Sequence, residues 1–215
     1  MRAHPHSGHG HGHGHGPERI FQGRGSRFYD RVARWLGRGL YGRIADDIAD
    51  AAVDEGDVLD IGTGPGVLVD EIARRRRDLR LTGIDLSEDM IAAAQRNLEI
   101  WGSRANAHVG DVTELPFPDD SFDLIVTSFS LHHWEDPQAA VPELARVLRP
   151  GGRLYIYDFR FAPFETIVDT ARAQSVLTGR PARRTQIRTG VPLLPRCVRQ
   201  VLSAAPTTPG GGTGS

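Results

Sequence analysis

The sequence predicts a single α/β domain with a mainly parallel sheet and helices on both of its faces. Short, continuously apolar runs alternate with segments of helical spacing, a pattern typical of strands that are buried on both sides. The 215 residues suffice for one sizeable domain and are too few for two. Hydrophobic residues make up 39% and charged residues 25%, an ordinary composition for a globular protein.

A helical cap is predicted ahead of the first strand, within residues 18–56. Over residues 26–53 apolar side chains recur at the three- to four-residue spacing of one helix face. Gly37, Gly39 and Gly42 interrupt this segment, and a glycine costs about 1 kcal/mol in a helix interior. We therefore expect the glycines to divide the segment into two helices.

Five strands and four helices are predicted after the cap. The strands are expected at five apolar runs: Asp57–Ile61, Leu81–Asp85, Ala105–Val109, Phe122–Phe129 and Arg153–Asp158. Helical spacing occurs in four segments: Val67–Arg77, Ser87–Trp101, Pro137–Leu148 and Phe164–Leu177. Ser87 provides an N-cap oxygen for the second of these helices. Residues 57–160 form the core of the domain in this interpretation.

The end of the domain, residues 161–205, has the weakest pattern. Two short strands, Thr185–Thr189 and Val198–Leu202, are expected to complete a seven-stranded sheet. A helix over Val191–Ala204 is the alternative, and the sheet would then stop at five or six strands.

Both ends of the chain are expected to be disordered. Residues 1–17 combine glycine with six histidines, and residues 206–215 are rich in proline, glycine, threonine and serine. Neutral imidazole binds metal ions, so the N-terminal segment could act as a non-specific metal-binding tract. Its histidines are His4, His6, His9, His11, His13 and His15. We favour a biased tail without a specific metal, and no metal site is predicted elsewhere.

Charge and cysteine content exclude several classes of protein. A net charge of −1 disfavours nucleic-acid binding, which needs excess cations for phosphate contacts. No apolar run is long enough for a spanning helix, and the N-terminus lacks the apolar stretch of a secretory signal. Cys197 is the single cysteine, which excludes an internal disulfide and favours the reducing cytoplasm.

The charge is unevenly distributed along the chain. All 27 acidic residues lie between Glu18 and Asp169, and the 46 residues after Asp169 contain seven arginines and no acid. Together with neighbouring apolar residues, these arginines suit weak peripheral contact with an anionic lipid surface, or an amphipathic acceptor. We favour the interpretation that the apolar residues complete the sheet and the arginines offset the negative charge of the remainder.

The loop after the first strand has the glycine spacing of a nucleotide-binding turn. Residues 58–66 read VLDIGTGPG, and three alternate glycines let a ligand approach bare backbone at a helix N-terminus. Val67 stands where the dinucleotide fingerprint needs a glycine. Asp60, two residues before the first glycine, would repel a pyrophosphate and attract a cationic ligand. The loop therefore favours S-adenosylmethionine over a nicotinamide dinucleotide.

Two further acids follow strand ends. Asp85 ends the second strand, where a carboxylate can accept hydrogen bonds from a ribose diol. Asp111 follows the third strand, where it can accept a hydrogen bond from an adenine amino group. A turn or cap residue is the alternative role for Asp111.

Four segments occur in the order and at the spacing of a known enzyme family: VLDIGTGPG (58–66), GIDLSEDMIAAA (83–94), GDVTELPFPDDSFDLIVTSFSLHHWEDP (110–137) and ARVLRPGGRLYIYD (145–158). They resemble the class I S-adenosylmethionine-dependent methyltransferases, and more narrowly the broad group that includes ubiquinone and menaquinone C-methyltransferases. The resemblance spans roughly half of the chain. It implies a Rossmann-like, mainly parallel sheet of seven strands, S-adenosylmethionine as cofactor, and a substrate side formed by residues 161–205.

The resemblance also implies where the cofactor would bind. The loop after the first strand would hold the methionine part, and Asp85 the ribose hydroxyls. The segments that follow the second and third strands would contact the adenine, and the end of the fourth strand would lie near the sulfonium. The cofactor-binding positions implied are Asp60, Gly62, Thr63, Gly64, Gly66, Asp85, Leu86, Met90, Asp111, Val112, Ser128, Phe129 and, in an N-terminal aromatic segment, Tyr29.

Two histidines, His132 and His133, are candidate bases after the fourth strand, because histidine can hold a proton near neutral pH. Adjacent residues are expected to face different ways, and His133 is the catalytic candidate. A structural role in the loop is the alternative, and methyl transfer can also proceed by positioning alone.

The predicted function is methyl transfer from S-adenosylmethionine to a small molecule, at oxygen or an activated carbon, by a cytoplasmic monomer or homodimer. The second class considered is a binding module that keeps the fold and S-adenosylmethionine or S-adenosylhomocysteine without turnover. A nicotinamide oxidoreductase is disfavoured by Val67 and Asp111.

Overall fold

The computed structural model describes residues 39–191 and 194–207; the histidine-rich tail and Tyr29 lie outside the described residues. The first described helix, α1, covers residues 39–51. The other α-helices are α2 Val67–Arg75, α3 Glu88–Leu98, α4 Pro137–Val147 and α5 Phe164–Ala173. The strands are β1 Asp57–Ile61, β2 Arg80–Asp85, β3 Ala105–Val109, β4 Phe122–Ser128, β5 Leu148–Asp158, β6 Arg183–Val191 and β7 Leu194–Ser203. Short 3₁₀ helices lie at Glu99–Arg104 and Leu131–His133.

The strands form one seven-stranded sheet in the order β3-β2-β1-β4-β5-β7-β6. The pairs among β1 to β5 are parallel, whereas β7 is antiparallel to both β5 and β6. The mainly parallel sheet of seven strands is therefore confirmed. The helix considered over Val191–Ala204 does not form, because β7 pairs with β5 over six residues and extends further along β6.

The strand order reverses between β1 and β4, which are neighbours in the sheet. Strands β2 and β3 lie on one side of β1, and β4 and β5 lie on the other. The connections on the two sides therefore run in opposite directions, and a crevice opens between them at the carboxyl ends of the strands. In open α/β sheets this crevice is where ligands bind.

Helices cover both faces of the sheet, as the apolar strands predict. On one face α4 and α5 bury Leu144 and Ile167 against the sheet. On the other face α1 and α2 contribute Ile44 and Ile72, which are also fully buried. Burying one such side chain stabilises the fold by about 1.5–3 kcal/mol.

Helix α1 is continuous through Gly42, so a division of the cap at Gly42 is wrong; Gly39 is the first described residue, and Gly37 lies outside the described residues. A Cβ on Gly42 would lie 3.3 Å from Nη2 of Arg75, whose guanidinium also bonds Asp46. The glycine thus accommodates an arginine of α2, and burial of the apolar face of α1 outweighs its low helix propensity.

All four helices after the cap end earlier than predicted, α3 at Leu98 and α4 at Val147. Helix α2 stops at Arg75, because Arg76 adopts an extended conformation with φ −125° and ψ 103°. Helix α5 stops at Ala173, and both Ser175 and Leu177 have positive φ. Residues in these conformations cannot continue a right-handed helix.

A triad of one buried and two partly buried side chains ties α1 to β5 and β7. The Tyr157 side chain is fully buried, and its hydroxyl donates to Oδ2 of Asp47 at 2.6 Å. Nη1 of Arg199 donates to Oδ1 of Asp47 at 2.6 Å. Burial and the adjacent Asp47 carboxylate raise the pKa of Tyr157 above its usual range, so the hydroxyl stays protonated and continues to donate.

Arg76 caps the end of α1. Its guanidinium donates to the carbonyl oxygens of Ala49 at 2.7 Å, Ala52 at 3.2 Å and Val53 at 3.2 Å. It also forms an ion pair of 2.7 Å with Asp78. The last carbonyls of a helix have no intrahelical donor, so this one side chain satisfies one of them together with two carbonyls just after the helix.

Replacing Arg76 with alanine should lower the free energy of unfolding by about 2 kcal/mol, because the helix carbonyls and Asp78 lose a charged donor. Arg77→Ala is the matched control, since Arg77 is the next residue in the chain and is exposed. Its change should stay within about 0.5 kcal/mol. Urea denaturation followed by circular dichroism measures both variants, and equal losses would contradict the capping role.

Candidate functional site

The loop after β1 places a buried carboxylate beside exposed backbone. Asp60 is 1% exposed, and its Oδ2 accepts a hydrogen bond of 2.7 Å from Oγ1 of Thr63. Its Oδ1 is buried and has no hydrogen-bond partner within the described part of the chain. Burial raises the pKa of Asp60 to about 7, and the neighbouring Asp85 carboxylate adds to this effect. A cation next to Oδ1 would therefore stabilise the charged form.

The three glycines of this loop have different tasks, although Gly62, Gly64 and Gly66 all have positive φ, of 68°, 53° and 77°. A Cβ on Gly62 would lie 2.1 Å from Oγ of Ser130, and one on Gly66 would lie 3.2 Å from Ala94. A Cβ on Gly64 would meet no atom within 4 Å. Gly62 and Gly66 therefore permit close packing, whereas Gly64 leaves open backbone for a ligand.

Asp85, at the end of β2, holds the glycine loop in place. Its Oδ2 accepts the N–H of Gly64 at 2.9 Å, and its Oδ1 accepts the N–H of Ser87 at 2.9 Å. Each carboxylate oxygen can accept a further hydrogen bond. Leu86 is 69% exposed next to it, and Met90 is partly exposed in the first turn of α3. The predicted ribose and adenine positions thus lie together beside the loop.

The end of β3 joins the same edge of the sheet. The N–H of Gly110 donates to the carbonyl of Asp85 at 3.1 Å, and Val112 is 8% exposed. Asp111 is exposed, and its Oδ1 accepts the N–H of Thr113 at 2.8 Å. This bond is the turn role considered for Asp111, and contact with an adenine stays a prediction.

The end of β4 is strained. Ser128 is 6% exposed, and Phe129 has a φ of 54°, which is uncommon for a residue other than glycine. The N–H of Phe129 donates to the carbonyl of Tyr157 at 2.7 Å, which holds this conformation. Its ring lies edge-on to Tyr41 of α1, with centroids 6.5 Å apart. Backbone strain of this kind concentrates at functional sites.

A buried carboxylate holds His132, a pairing that the sequence did not reveal. Asp158, the last residue of β5, is 0% exposed, and its Oδ1 lies 2.8 Å from Nδ1 of His132. Its Oδ2 accepts the backbone N–H of His132 at 3.1 Å, and Oδ1 accepts that of Phe159 at 2.7 Å. An ionised carboxylate only accepts, so a neutral His132 donates through Nδ1 and keeps the Nε2 lone pair.

His133 is the base candidate from the sequence, and the structure gives it a different setting. It is exposed, and its ring lies on that of His132 with centroids 3.9 Å apart. The expectation that the two histidines face different ways is therefore wrong. Because the carboxylate bond belongs to His132, the geometry favours His132 as a base. Asp158 is an aspartate at the end of a strand, as Asp85 is, and Asp60 lies next to a strand end. This shared position is a sequence signal that points to Asp158 as a site residue.

Aromatic side chains surround His132. Its ring centroid lies 5.2 Å from that of Phe159 and 5.8 Å from that of Phe161. Phe159 and Phe161 are stacked at 5.3 Å, and Phe159 also contacts Phe129 at 5.2 Å. Phe161 is 72% exposed. These three phenylalanines, called the aromatic wall below, provide an apolar surface beside His132.

Comparison with known proteins identifies the domain. Residues 59–156 match a family described as a methyltransferase domain. The matched segment is a little under half of the chain and is similar to the methyltransferase domains of that family. A demethylmenaquinone methyltransferase of Thermus thermophilus is 34% identical to this chain over 133 residues. A 27-O-demethylrifamycin SV methyltransferase of Amycolatopsis mediterranei is 39% identical over 110 residues.

A solved structure extends the likeness of the methyltransferase domain over most of the chain. A candidate S-adenosylmethionine-dependent methyltransferase of Methanococcus maripaludis superposes with a TM-score of 0.68 at 24% identity. It covers 92% of this chain and 99% of its own, which supports a common fold. S-adenosylmethionine is the expected cofactor of this family.

The sequence relatives are matched over only part of their length. The match covers 61% of this chain and 60% of the Thermus protein, and 49% of this chain and 39% of the Amycolatopsis protein. No helix within residues 39–191 and 194–207 has the length and apolar character needed to cross a membrane. In the same residues, no group of three or more histidine, cysteine, aspartate or glutamate side chains is placed to hold a metal ion.

Alanine at Gly62 and at Gly64 should have different effects. Gly62→Ala should lower the free energy of unfolding by about 2 kcal/mol, because the new Cβ overlaps Ser130. Gly64→Ala should cost only about 1 kcal/mol for its positive φ, yet weaken S-adenosylhomocysteine binding about tenfold or more by blocking open backbone. Thermal unfolding and calorimetry measure the two effects. Normal binding by Gly64→Ala would mean that the cofactor does not approach this backbone.

Cofactor affinity should rise with pH through the pKa of Asp60, which is about 7. Below this pH the carboxyl is neutral and loses its attraction for the ammonium group of S-adenosylhomocysteine, so affinity should fall by up to about tenfold per pH unit. Calorimetry over a pH series measures the dependence, and Asp60→Asn should flatten it. Methylthioadenosine, which lacks the amino-acid group, is the control ligand. A flat profile for the unmodified protein would refute the assignment.

Proposed function

We propose that this protein transfers a methyl group from S-adenosylmethionine to a small aromatic molecule, at a hydroxyl oxygen or at a carbon activated by that hydroxyl. The observation that carries this proposal is the bond between the buried Asp158 carboxylate and Nδ1 of His132. S-adenosylmethionine supplies a methyl group on a sulfonium, which makes the carbon electrophilic. A nucleophile that keeps its proton would react poorly with this carbon, so a base beside the acceptor would speed the reaction by removing the proton.

The residues at the carboxyl ends of β1 to β4 fit the cofactor. Asp60 would accept its ammonium group through Oδ1, the buried oxygen with no partner in the described residues. Gly64 would allow close approach, and the remaining acceptor capacity of Asp85 suits the ribose hydroxyls. The other proposed contacts are those of Gly62, Thr63, Gly66, Leu86, Met90, Asp111, Val112, Ser128, Phe129 and Tyr29.

His132 would take the proton from the acceptor hydroxyl. Nε2 accepts it, and Asp158 stabilises the imidazolium that forms, since its charge lies 2.8 Å from Nδ1. The same bond fixes the tautomer and the ring orientation before the reaction. Asp158 acts here through His132 and is a positioning residue.

The aromatic wall would hold the ring of the acceptor. A flat apolar molecule can pack against Phe159 and Phe161 with its hydroxyl close to His132. The relatives are named for acceptors of small-molecule type, demethylmenaquinone and 27-O-demethylrifamycin SV, which supports a small molecule rather than a macromolecule.

His132→Ala should reduce kcat for methyl transfer by about 10²–10³-fold and leave S-adenosylhomocysteine binding unchanged, because a general base contributes on this scale. Asp158→Asn should act in the same direction. His133→Ala is the matched control and should keep most of the activity. Release of S-adenosylhomocysteine with a panel of phenols measures turnover. Cofactor binding without turnover on any acceptor would favour the non-catalytic binding module instead.

A further inference from the structure

The C-terminal hairpin, formed by β6 and β7, extends past the end of β5. Strand β7 runs antiparallel to β5, with Val198 opposite Asp158 at the end of β5. Arg196 lies two residues further, which corresponds to about 7 Å along the strand. The hairpin therefore reaches beyond the Asp158–His132 pair, on the side where the parallel strands end.

Arg188 and Arg196 lie directly opposite each other in this extension. Opposite residues share one face of a sheet, with Cβ atoms about 5 Å apart. Arg196 shares its face with Val198, two positions along, and Val198 shares its face with Asp158. Both arginines are exposed. Two cations thus lie on the sheet face that carries the carboxylate of the proposed base pair.

Neither arginine has a carboxylate partner within the described residues. Three of the seven arginines after Asp169 do form ion pairs: Arg172 with Asp169, Arg184 with Glu165 and Arg199 with Asp47. Like charges placed directly opposite in an antiparallel pair destabilise it. The charges of Arg188 and Arg196 therefore oppose the pairing of β6 with β7, and an anion between the two guanidinium groups would remove the repulsion.

The edge of the sheet at the carboxyl ends of the parallel strands has opposite charges on its two sides. Asp60, Asp85 and Asp111 belong to the ends of β1, β2 and β3, on the proposed cofactor side. The hairpin flanks β5 on the opposite side and carries the unpaired arginines. An anionic group would be repelled on the first side and attracted on the second. Opposite charges at the two sides would also orient a dipolar acceptor as it enters.

We propose that Arg188 and Arg196 form an anion subsite that binds a carboxylate or phosphate group of the methyl acceptor. Planar guanidinium groups bind both kinds of anion through paired N–H donors. The acceptor is then amphipathic, with its ring on the aromatic wall and its anionic group at the hairpin. The role in acceptor binding rests on the proposed function, whereas the anion subsite is testable without turnover.

Inorganic phosphate is the probe for the subsite itself. In the protein with S-adenosylhomocysteine, the backbone N–H signals around positions 188 and 196 of β6 and β7 should shift saturably on phosphate titration in nuclear magnetic resonance. Arg188→Gln/Arg196→Gln should abolish the saturable response. Arg180→Gln/Arg183→Gln is the matched control, since it removes two exposed charges near the other end of β6 and should leave the phosphate response unchanged. A response that is linear, or equally reduced in both double variants, would overturn the subsite.

Two further measurements separate the sources of the anion. Phosphate should compete with hydroxybenzoates, but not with the matching neutral hydroxybenzamides, for the protein bound to S-adenosylhomocysteine. Equal competition for both series would overturn the role in acceptor binding. Co-sedimentation with vesicles of phosphatidylserine and phosphatidylcholine tests a lipid as the source of the anion. If both double variants lose vesicle binding equally and phosphate binding does not saturate, the surface is diffusely basic and the proposal is refuted. A phosphate site in a protein without methyl transfer would refute the proposed function and leave the subsite standing.

Discussion

The contact between Gly62 and Ser130 brings the loops after β1 and β4 together. Oγ of Ser130 occupies the space that a side chain at position 62 would need, so the loop after β4 lies directly on the loop after β1. The indole N–H of Trp134 donates to the same Oγ at 2.8 Å and closes the β4 loop around His132. The distance between the proposed base and the proposed cofactor loop is therefore set by backbone packing, which varies less than contacts between long side chains.

Two buried aspartates at this edge have opposite hydrogen-bonding environments. Asp158 accepts three N–H groups, two from His132 and one from Phe159, so its charge is compensated within the fold. Asp60 accepts a single hydroxyl, from Thr63, and one of its oxygens has no partner among the described residues. The first carboxylate is an internal support, whereas the second has a remaining acceptor that a ligand can complete.

The sequence predicted the parallel half of the fold well, because local signals define it. Apolar runs bounded by glycine and aspartate located β1 to β4, and the acids at strand ends located Asp60 and Asp85. The bond from Asp158 to His132 joins residues 26 positions apart and depends on the alignment of β4 with β5. Local patterns do not contain that information.

The less regular features needed tertiary contacts. Arg76 and Arg77 are adjacent and identical in type, yet Arg76 turns back onto the end of α1 and Arg77 is exposed. The helix α1 passes through Gly42 because Arg75 fills the space beside it. Strands β6 and β7 are longer than the apolar segments that predicted them. Their pairing continues through arginines, which the apolar pattern of the sequence does not mark as strand residues.

The triad of Asp47, Tyr157 and Arg199 has a consequence for the evolution of acceptor choice. It joins α1, the central sheet and the hairpin through one carboxylate, so these parts cannot be exchanged independently. A recombinant that receives a hairpin without an arginine at position 199 would leave Asp47 facing a buried phenol with no counter-ion. Substitutions that change ligand specificity are therefore expected at the tip of the hairpin. The end of the hairpin that carries Arg199 is expected to be inherited together with the first helix.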